Sequence, residues 1–505
     1  MIFPGIDLGT TFSMIAHVNS HGQPTLFPDV HNASQFRTPS VVYIGREGCL
    51  VGDAAEELLD DAPELSMARF VKAQLAQPKW RYADHEQRSW SAEALSGLIL
   101  RKLLKDADTF ANDEVGQTVI AVPAQFTDEQ RRATMRAAAL AGLRNIRLVE
   151  EPVAAATYYG LDEGPSDRTL LVYDFGGGTF DVAVLQTAKD GLFVLATDGL
   201  ANLGGRILDE RIMSAIADDY QRRFGRNPLS DPGATQRLRR IAEQAKIKLS
   251  KPGLSQVKQS LLLMGNPFDF VFARQQFDSL MTTAVAATLA CCSRCLNAAS
   301  LTWKDVDKIL LTGGSSLLPH VPAEILRISG KNPRDIISKQ PHQAVAFGAA
   351  ILAHRFGLDG DTGIVIQQVA TADLCLRVWD RHNNRPTLES LITRNTPLPT
   401  SYTRTFYTNR DDQTRLVLEF VQQRGESAEE FSLGHFTFGP IENPKRNYAI
   451  EVTAFLESDG LVRVTARDSL TGREIGHILE DGGETPGGPI SEEQRRLIDS
   501  VHINA

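Results

Sequence analysis

The residues best suited to chemistry surround three consecutive glycines. Two apolar runs, 170–175 and 180–185, flank the glycines and predict two strands joined by a tight turn. Because glycine lacks a Cβ and permits positive φ, the backbone N–H groups of such a turn can point at an anion. Oxygen-bearing side chains stand beside it, and oxygen ligands near phosphate suit magnesium. The stretch predicts a phosphate-binding turn, with a structural hairpin as the alternative. Its residues are Asp174, Gly176, Gly177, Gly178, Thr179 and Asp181.

A stretch close to the amino terminus repeats this design. An apolar strand leads into an aspartate, an apolar residue, a glycine and two threonines, and a second strand follows. Two such turns predict two related half-domains that face each other across one nucleotide. The members of this turn are Asp7, Leu8, Gly9, Thr10, Thr11 and Phe12.

Further candidates lie where predicted elements meet. Glu151 follows a short strand at the start of a helix, where it suits either a site or the helix dipole. Lys72 lies early in a helical stretch, where a solvated lysine is the usual case. Two more glycine-bearing loops occur, and the second, a strand-to-helix turn, suits a phosphate or ribose edge. These loops contain Gly204 and Gly205, and Gly313, Gly314 and Ser315.

One helix, predicted over about 234–250, carries three polar side chains on one face. Glu243, Lys246 and Ser250 are spaced at i, i+3 and i+7. Such a face is either a pocket wall or a solvated stripe, and the spacing alone leaves both open.

Length and composition bound the class of protein. At 505 residues, with 42% hydrophobic and 23% charged residues, the chain is typical of a soluble protein with more than one domain. A net charge of −9 argues against nucleic-acid binding. We expect no membrane span and no signal peptide, and five cysteines fit a reducing cytosol rather than a disulfide framework. Cys291, Cys292 and Cys295 predict either a metal or redox site or a close helix contact.

The hydrophobic pattern divides the chain into segments. Strands and helices alternate up to residue 357, and a glycine- and aspartate-rich linker is predicted over 358–370. Period-two patterns over 371–488 predict an antiparallel β-domain. Ser491 and Gln494 predict the capped start of one terminal helix in 489–505.

These motifs point to a nucleotide grip other than the P-loop, because the Gly-Lys-Ser/Thr signature is absent from the sequence. Two Asp-Gly turns would hold the phosphates, with magnesium and backbone amides neutralising their charge and a carboxylate orienting a water in line with the γ-phosphate. Lys72 is a candidate cation for the γ-phosphate. The oxygen-bearing candidates are Asp7, Thr10, Thr11, Glu151, Asp174, Thr179 and Asp181.

Over nearly its whole length the sequence resembles the DnaK-type 70-kilodalton heat-shock chaperones. The turns at 6–13 and 174–181 resemble the family's two phosphate motifs, and 313–319 resembles its adenosine motif. The segments 122–126 and 151–156 match its connecting segments, and 391–400 and 450–453 match its β-domain. The resemblance implies an α/β actin-like ATPase domain of two duplicated lobes, followed by an all-β sandwich that holds extended apolar peptides.

The resemblance also implies roles for individual residues. Lys72 would be the catalytic lysine, and Glu151 would act through the waters of the metal. Asp7 and Asp174 would govern magnesium and potassium positions, and Thr179 and Asp181 would order the attacking water. Glu243, Lys246 and Ser250 would hold the adenosine. Pro123 would couple the domains and Arg147 would meet J-domain partners. The peptide cleft would contain Val378, Phe406, Leu416 and Leu418, for which plain sandwich core is the alternative.

The sequence departs from the family pattern at the adenine end. Ile247 and Leu317 stand where the family places arginines, and His342 stands in place of an aspartate. Losing two cation–π contacts of roughly 0.5–2 kcal/mol each predicts weaker nucleotide binding. Gln367 and Gln368 interrupt an apolar linker, which puts the domain coupling in question. The helical lid over the peptide is expected to be nearly absent, so that peptide exchange is fast.

The function expected from the resemblance is that of an ATP-dependent molecular chaperone in the cytoplasm. Its partners would be extended client peptides, a J-domain co-chaperone and a nucleotide-exchange factor, without nucleic acid or membrane. A nucleotide-gated adaptor for one dedicated client, with little turnover, is the main alternative. A small-molecule kinase is a third, since sugar kinases share the two-turn grip.

Overall fold

The computed structural model describes residues 1–46, 48–62, 65–111, 113–163, 167–189, 191–251, 253–359, 365–380, 385–408, 410–424, 429–442, 444–478 and 490–504. Parts of the predicted linker and of the boundary before the terminal helix, residues 360–364 and 479–489, lie outside these ranges.

Residues 1–163, which we call the first lobe, alternate short strands with four helices. Its strands are β1 (Gly5–Asp7), β2 (Phe12–Val18), β3 (Pro24–Leu26), β4 (Thr38–Pro39), β5 (Val41–Gly45), β6 (Gly48–Val51), β7 (Ala68–Arg69), β8 (Tyr82–Ala83), β9 (Ser89–Trp90), β10 (Thr118–Val122) and β11 (Ile146–Glu150). Its helices are α1 (Asp53–Asp61), α2 (Ala92–Ala111), α3 (Asp128–Leu140) and α4 (Glu151–Glu163).

Residues 167–359, the second lobe, begin with the hairpin that carries the three glycines. Its strands are β12 (Arg168–Phe175), β13 (Phe180–Ala188), β14 (Gly191–Leu200), β15 (Gln256–Leu263), β16 (Asn266–Ala273), β17 (Lys308–Thr312) and β18 (Ile336–Ile337), and β19 (Val365–Gln367) follows it. Its helices are α5 (Gly205–Phe224), α6 (Pro232–Ser250), α7 (Arg274–Ala298), α8 (His320–Ser329) and α9 (Ala344–Asp359).

The described residues of 373–478, which we call the β-region, form strands and loops without a helix. They are β20 (Asp373–Asp380), β21 (Arg385–Ile392), β22 (Thr400–Tyr407), β23 (Leu416–Arg424), β24 (Glu429–Phe438), β25 (Ala449–Leu456), β26 (Val462–Asp468) and β27 (Glu474–Ile478). Beyond it lie α10 (Glu492–Asp499) and β28 (Ile503–Asn504).

The main sheets of the two lobes repeat one strand order. The first runs β11-β10-β1-β2-β3 and the second runs β18-β17-β12-β13-β14. In both, the first three strands are parallel and the next two are antiparallel to their neighbours. The β1–β2 turn and the β12–β13 turn therefore occupy equivalent positions, as the repeated Asp-Gly pattern predicts.

Two helices pack between these sheets. One apolar cluster joins α4 and α9 to residues of both sheets, among them Val119 and Val172. Close approach requires glycine here: a Cβ at Gly348 of α9 would lie 1.7 Å from the carbonyl oxygen of Ala154 in α4. The lobes thus share a tightly packed contact behind the paired turns.

The β-region consists of two four-stranded antiparallel sheets, β21-β20-β23-β24 and β22-β25-β26-β27. They share one apolar cluster that includes Leu376, Phe420, Phe436 and Val464. Every second residue along β25 and β26 is buried and the residues between them are partly buried or exposed, which matches the predicted period of two.

Two helix starts carry the Ser/Thr-x-x-Gln pattern and differ in structure. Thr127 and Gln130 form a capping box at the start of α3. The predicted capping role of Ser491 and Gln494 was wrong, because Ser491 caps α10 without a side-chain hydrogen bond. Gln494 instead accepts from the backbone of Ser91 at 2.8 Å.

The predicted linker is more ordered than the sequence suggests. β19 extends the second sheet by pairing in parallel with β14, with Leu192 opposite Ile366. Its glutamines are therefore part of, or next to, a sheet edge rather than a free connection.

One helix, α7, is long and apolar enough to cross a membrane by length and composition. Half of its most apolar window is buried inside the protein, where Phe277, Met281 and Leu289 join the core of the second lobe. This burial is typical of a core helix.

Candidate functional site

The two glycine turns meet at one large cleft between the lobes, with a cavity of about 950 Å³. The cleft brings together most of the residues that the sequence singles out. Those that line it are Asp7, Gly9, Thr10, Thr11, Phe12, Lys72, Glu151, Asp174, Gly176, Gly177, Gly178, Thr179, Gly205, Glu243, Lys246, Ser250, Gly313, Gly314 and Ser315. Asp181 and Gly204 are not among the residues that line the cleft.

The glycines of the central turn are explained by space rather than by φ. A Cβ at Gly177 would lie 2.2 Å from Thr11 Oγ1, and a Cβ at Gly178 would lie 2.6 Å from Thr10 Oγ1. None of the three has a positive φ, so the lack of a Cβ, and not the freedom in φ, explains them. The absence of side chains lets the second-lobe turn approach the first-lobe turn directly.

The turn is anchored from behind by the start of α5. Gly205 N donates to Gly176 O at 3.0 Å, and Arg206 N donates to Gly177 O at 2.8 Å. Because the first N–H groups of a helix have no partner within it, these bonds satisfy both elements at once. Gly204 is required here, since its Cβ would lie 2.5 Å from Gly177 C.

A buried ion pair crosses the first lobe beside the turns. Lys72 Nζ donates to Glu151 Oε1 at 2.6 Å, and both side chains are buried. Lys72 lies on the short 3₁₀ helix Val71–Gln74, and Glu151 begins α4. Burial opposes the lysine charge, but the charges of Glu151 and Asp7 raise the pKa of Lys72 above its usual value. Lys72 is therefore a buried, partnered cation, and the solvated-lysine alternative does not hold.

Three aspartates make the centre strongly acidic. Burial, and then the charge of Glu151, raises the pKa of Asp7 to about 7 and that of Asp181 to about 7. The same causes, with the neighbouring aspartates, raise the pKa of Asp174 well above its usual range. Carboxylates crowded in this way favour a cation close by.

The acidic centre fits a metal held through water rather than caged by protein. Within the described residues, no group of three or more His, Cys, Asp or Glu side chains is arranged to hold an ion. Magnesium usually keeps several waters and needs only one or two carboxylates. Asp181 Oδ2 is buried without a hydrogen-bond partner among the described residues, which leaves an acceptor for such a water.

At the opposite end of the cleft, α6 and the turn after β17 form the walls. Lys246 Nζ donates to Asp209 Oδ2 at 2.8 Å and to Gly205 O at 3.2 Å. Ser250 Oγ donates to the carbonyl of Lys246 within its own helix. Lys246 is thus held against α5, and Glu243 lines the cleft beside it.

The departures from the family pattern lie together at this end. Ile247 and Leu317 both line the cleft and are 51% and 49% exposed. Gly314 lies close to His342, because a Cβ there would be 2.9 Å from the imidazole Cε1. Burial, and then the charge of Arg37, lowers the pKa of His342 below 6.5. Ile247 and Leu317 thus present aliphatic side chains to the cleft in place of two guanidinium groups.

Sequence reasoning missed the contribution of Arg37. Its guanidinium lies over the ring of Phe12, 4.3 Å from the centroid, and it lines the cleft. Asp209 was also missed, although burial raises its pKa to about 6 beside Lys246. Neither residue belongs to a motif, so the sequence offered no signal for them.

The segment at the start of α3 contacts both the acidic centre of the cleft and the β-region. Gln125 N donates to Asp181 Oδ1 at 3.2 Å. Three residues on, Asp128 Oδ1 accepts from Val462 N at 2.7 Å, and Asp128 N donates to Gln422 at 3.0 Å. Pro123 begins this segment at the end of β10. One short segment therefore touches both the acidic centre and two strands of the β-region.

Arginines of α3 reinforce the same contact. Arg132 Nε donates to Asp128 Oδ2 at 2.6 Å, and its Nη2 donates to Val462 O at 2.8 Å. Arg131 donates to Glu150 at 3.0 Å and to Asp459 O at 3.1 Å. All these charged side chains are buried, and such pairs are costly to break by removing one partner.

The glutamine that seemed to interrupt the linker is also part of this interface. Gln368 Oε1 accepts from Glu150 N at 3.1 Å, and its Nε2 donates to Ser458 O at 2.7 Å. Gln368 is buried and its amide joins the strand before Glu151 to the β-region. The polar residue therefore makes a specific contact between the two.

A second contact between the lobes and the β-region centres on Asp198. Arg294 donates to this carboxylate at 2.9 Å and Arg394 at 3.0 Å. Asn395 Oδ1 accepts from Thr197 N at 3.2 Å. Because Arg394 belongs to the β-region and Arg294 to α7, one aspartate fixes both.

The predicted peptide-cleft residues divide into two groups. Leu416 and Leu418 are buried in the core of the β-region, as the alternative of plain sandwich core predicts. Val378 and Phe406 are partly buried and pack against that core. Arg147 is exposed on β11, and its guanidinium lies 4.5 Å from the ring centroid of Phe356.

The cysteine cluster supports helix packing. Cys291, Cys292 and Cys295 are fully buried in the core of the second lobe. Burial raises the pKa of Cys295 to about 12 and that of Cys292 well above its usual value. Thiols in this state are poor nucleophiles and ligands.

The comparisons with known proteins agree with this architecture. A family model described as Hsp70 protein matches residues 60–486. The chain is 36% identical over 507 residues to the chaperone protein DnaK of Thermotoga neapolitana, covering 98% of this chain and 83% of that protein. It is 35% identical, with the same coverage, to the chaperone proteins DnaK of Thermotoga petrophila and Thermotoga maritima. The chain therefore belongs to the Hsp70 family.

Proposed function

We propose that this protein is an ATP-dependent molecular chaperone. Residues 1–357 form an actin-like ATPase domain of two duplicated lobes, 358–370 the linker, and 371–488 a β-sandwich that binds extended apolar peptides. The repeated strand order of the two lobes and the all-β composition of 373–478 support this division. Residues 489–505 follow it as a short terminal segment.

The acidic end of the cleft is the site of ATP hydrolysis in this proposal. Asp7 and Asp174 would hold magnesium through water, and potassium would lie close to them. When bound, magnesium neutralises phosphate charge and orients the phosphates. The crowding of buried carboxylates, which raises their pKa values, supports this assignment.

The remaining residues of the centre orient the reacting groups. Lys72 is held by Glu151 at 2.6 Å and directs its positive charge at the γ-phosphate. Thr179 and Asp181 position the attacking water, for which Asp181 Oδ2 has acceptor capacity. The turns formed by Gly9–Phe12 and 176–178 hold the phosphates, and Gly204 and Gly205 support the second of them. Positioning and electrostatic stabilisation are the main sources of catalysis in phosphoryl transfer.

The far end of the cleft binds adenosine through Glu243, Lys246, Ser250 and the 313–315 turn. Ile247 and Leu317 contact the base by aliphatic packing. Without guanidinium stacking we expect nucleotide affinity below that of family members with two arginines. The neutral His342 adds no charge to the base.

One observation carries the proposal: the segment from Pro123 to Arg132 touches both the acidic centre and the β-region. Gln125 binds Asp181, which would order the attacking water, and Asp128 binds Val462. A change in the β-region on peptide binding can therefore reach Asp181 within a few residues. This is the coupling that an ATP-dependent chaperone needs, and a kinase for small molecules would not require it.

The proposed binding partners follow from the same assignment of residue roles. Client polypeptides bind the β-sandwich near Val378, Phe406, Leu416 and Leu418. A J-domain co-chaperone meets the exposed Arg147, and a nucleotide-exchange factor is a further partner. The protein works in the cytoplasm. The comparisons favour the chaperone over the adaptor, since the family and the named relatives are chaperones.

The test is ATP hydrolysis by the full chain, with and without an extended apolar peptide. We expect turnover that peptide alters and that falls at least 100-fold in Lys72→Ala and in Thr179→Ala. Turnover that neither substitution lowers would overturn the catalytic assignment. Turnover too slow to measure, together with nucleotide-dependent peptide binding, would support the adaptor.

A further inference from the structure

We propose that residues 490–504, which we call the strap, are a permanent part of the first lobe, bound in every nucleotide state. The strap follows the β-region in the chain but makes its contacts on α2, β6 and the segment before α2. It therefore anchors the β-region to the first lobe at a second point, in addition to the linker. This inference rests on the proposed function only for its consequence, the range of motion of the β-region.

The strap contributes to the apolar core of the first lobe. Ile498 is 0% exposed and Val501 is 6% exposed, and both belong to the cluster that packs beneath the first sheet. Gly97 of α2 lies against both the strap and α3: a Cβ there would be 2.9 Å from Ile498 Cδ1 and 3.1 Å from Ala137 O. Glycine inside a helix costs roughly 1 kcal/mol relative to alanine, and these two close approaches account for its presence.

The strap also satisfies the backbone at the start of α2. Gln494 Oε1 accepts from Ser91 N at 2.8 Å, and Gln494 Nε2 donates to Ser89 O at 3.1 Å. From the side of α2, Arg101 donates to Ile498 O at 2.8 Å and Lys105 donates to Ile503 O at 3.0 Å. The helix and the strap thus satisfy each other's polar groups.

The last residues of the strap extend a sheet. β28 pairs in parallel with β6, with Ile503 opposite Cys49, in the sheet β28-β6-β5-β7. Cys49 N donates to His502 O at 2.8 Å. Gly48 accommodates this approach at φ 133°, and a Cβ there would lie 2.7 Å from His502 O. The strap therefore covers an edge strand whose backbone would otherwise be open to pairing.

The strap's hydrogen bonds lie away from the nucleotide cleft and from the docked β-region. Its hydrogen-bond and strand partners lie in residues 48–105, whereas the β-region contacts Asp128 at the start of α3 and Glu150 at the end of β11. The apolar cluster that holds Ile498 also contains Ala137 and Leu140, which lie beyond the first turn of α3. No strap residue lines the cleft. We therefore expect the strap's contacts to persist when the nucleotide or the docking of the β-region changes.

A bound strap limits how far the β-region can move from the first lobe. The chain between Ile478 and residue 490 spans at most about 40 Å, at ~3.3–3.6 Å per residue. Two anchors keep the β-region at a high effective concentration near its docking surface. When the β-region undocks during the chaperone cycle, it can then move only a short distance from the first lobe before it docks again.

The first test separates the strap from the β-region without removing it. A protease site replaces residues 482–487 of the full chain, and native mass spectrometry follows the carboxyl-terminal fragment after cleavage, in ATP and in ADP. We expect the fragment to remain bound in both. Release in either nucleotide overturns the proposal.

A matched pair of variants tests the packing. Ile498→Asp places a charge in the core and should release the cleaved fragment in both nucleotides. Arg495→Asp places the same charge on the exposed face of α10 and should leave it bound. Retention in Ile498→Asp, or release in Arg495→Asp, contradicts the contacts described.

The tether is tested by distance. Labels at Thr109→Cys and Ser401→Cys, both exposed, report the separation in a chain whose docking is weakened by Asp128→Ala. We expect the distance distribution to stay short before cleavage and to gain a long population afterwards. An unchanged distribution overturns the tether, while loss of Lys72-dependent ATP turnover would overturn the proposed function alone.

Discussion

The contact between Asp128 and Val462, the first residue of β26, is the clearest place to break the coupling between the ATPase and the β-region. Asp128 accepts from Val462 N at 2.7 Å and pairs with Arg132 at 2.6 Å, and all three groups are buried. Replacing Asp128 with alanine leaves the guanidinium and the N–H without this acceptor. Removing one partner of a buried pair costs about 3–5 kcal/mol, and an orphaned N–H costs about 1–3 kcal/mol.

The substitution destabilises mainly the docked state, in which the β-region contacts α3. In the undocked state Arg132 and Val462 N are exposed to water, which replaces the lost acceptor. The effect of Asp128 on the dipole of α3 is present in both arrangements and cancels. A net shift of about 4 kcal/mol corresponds to nearly a thousandfold change in the docking equilibrium. A docked fraction of about 99% would fall to about 10%.

The assay is ATP turnover by Asp128→Ala with and without an extended apolar peptide, with hydrogen exchange measured over 459–462. We expect faster exchange in this loop and a rate that peptide no longer changes. Glu93→Ala is the matched control, since Glu93 pairs with Arg136 of the same helix α3. Unchanged exchange and full peptide response in Asp128→Ala would refute this account of the coupling.

Three further predictions follow from the cleft and the cores. Ile247→Arg with Leu317→Arg should restore stacking and strengthen ADP binding by roughly 1–4 kcal/mol in total; calorimetry checks this, and unchanged affinity would contradict the assignment of the adenine wall. Phe436→Ala should destabilise the β-region by about 3–5 kcal/mol, because Phe436 is 1% exposed in its core; urea unfolding of the β-region checks this. Burial raises the pKa of Asp106 from 3.8 to about 6, so the folded protein binds this proton more tightly than the unfolded chain does. Protonated Asp106 therefore adds about 3 kcal/mol to the free energy of unfolding below pH 3.8, and this stabilisation is lost as the pH rises to 6. Asp106→Asn should flatten that stretch of the stability profile, measured by thermal unfolding between pH 4 and 6.

The chemistry-bearing turns could be predicted from sequence because their residues are neighbours in the chain. Of the two properties of glycine invoked there, the freedom in φ is not used, and the lack of a Cβ matters because Thr10 and Thr11, far away in sequence, lie against the turn. The pattern at Thr127 and Gln130 formed its capping box, whereas the same pattern at Ser491 and Gln494 did not. Gln494 found stronger partners at the start of α2, which no local pattern encodes.

The interface shows most plainly what local patterns cannot supply. Asp128 and Val462 are 334 residues apart, and Glu150 and Gln368 are 218 apart. From sequence, Gln368 was a break in an apolar linker, but in the fold its amide bridges Glu150 and Ser458. A polar residue at such a place is informative only once its partners are known, because a buried amide with both ends bonded specifies one arrangement.

The two ends of the cleft place different demands on the sequence. At the proposed phosphate end, close contacts hold several of the candidate residues, and a change at Gly177 or Glu151 would disturb its neighbour directly. Ile247 and Leu317 are about half exposed, so we expect substitutions there to leave the fold undisturbed. On the proposed assignment of the site, affinity for nucleotide can therefore vary in this chain while the phosphate end, and its connection to the β-region through Gln125, are kept.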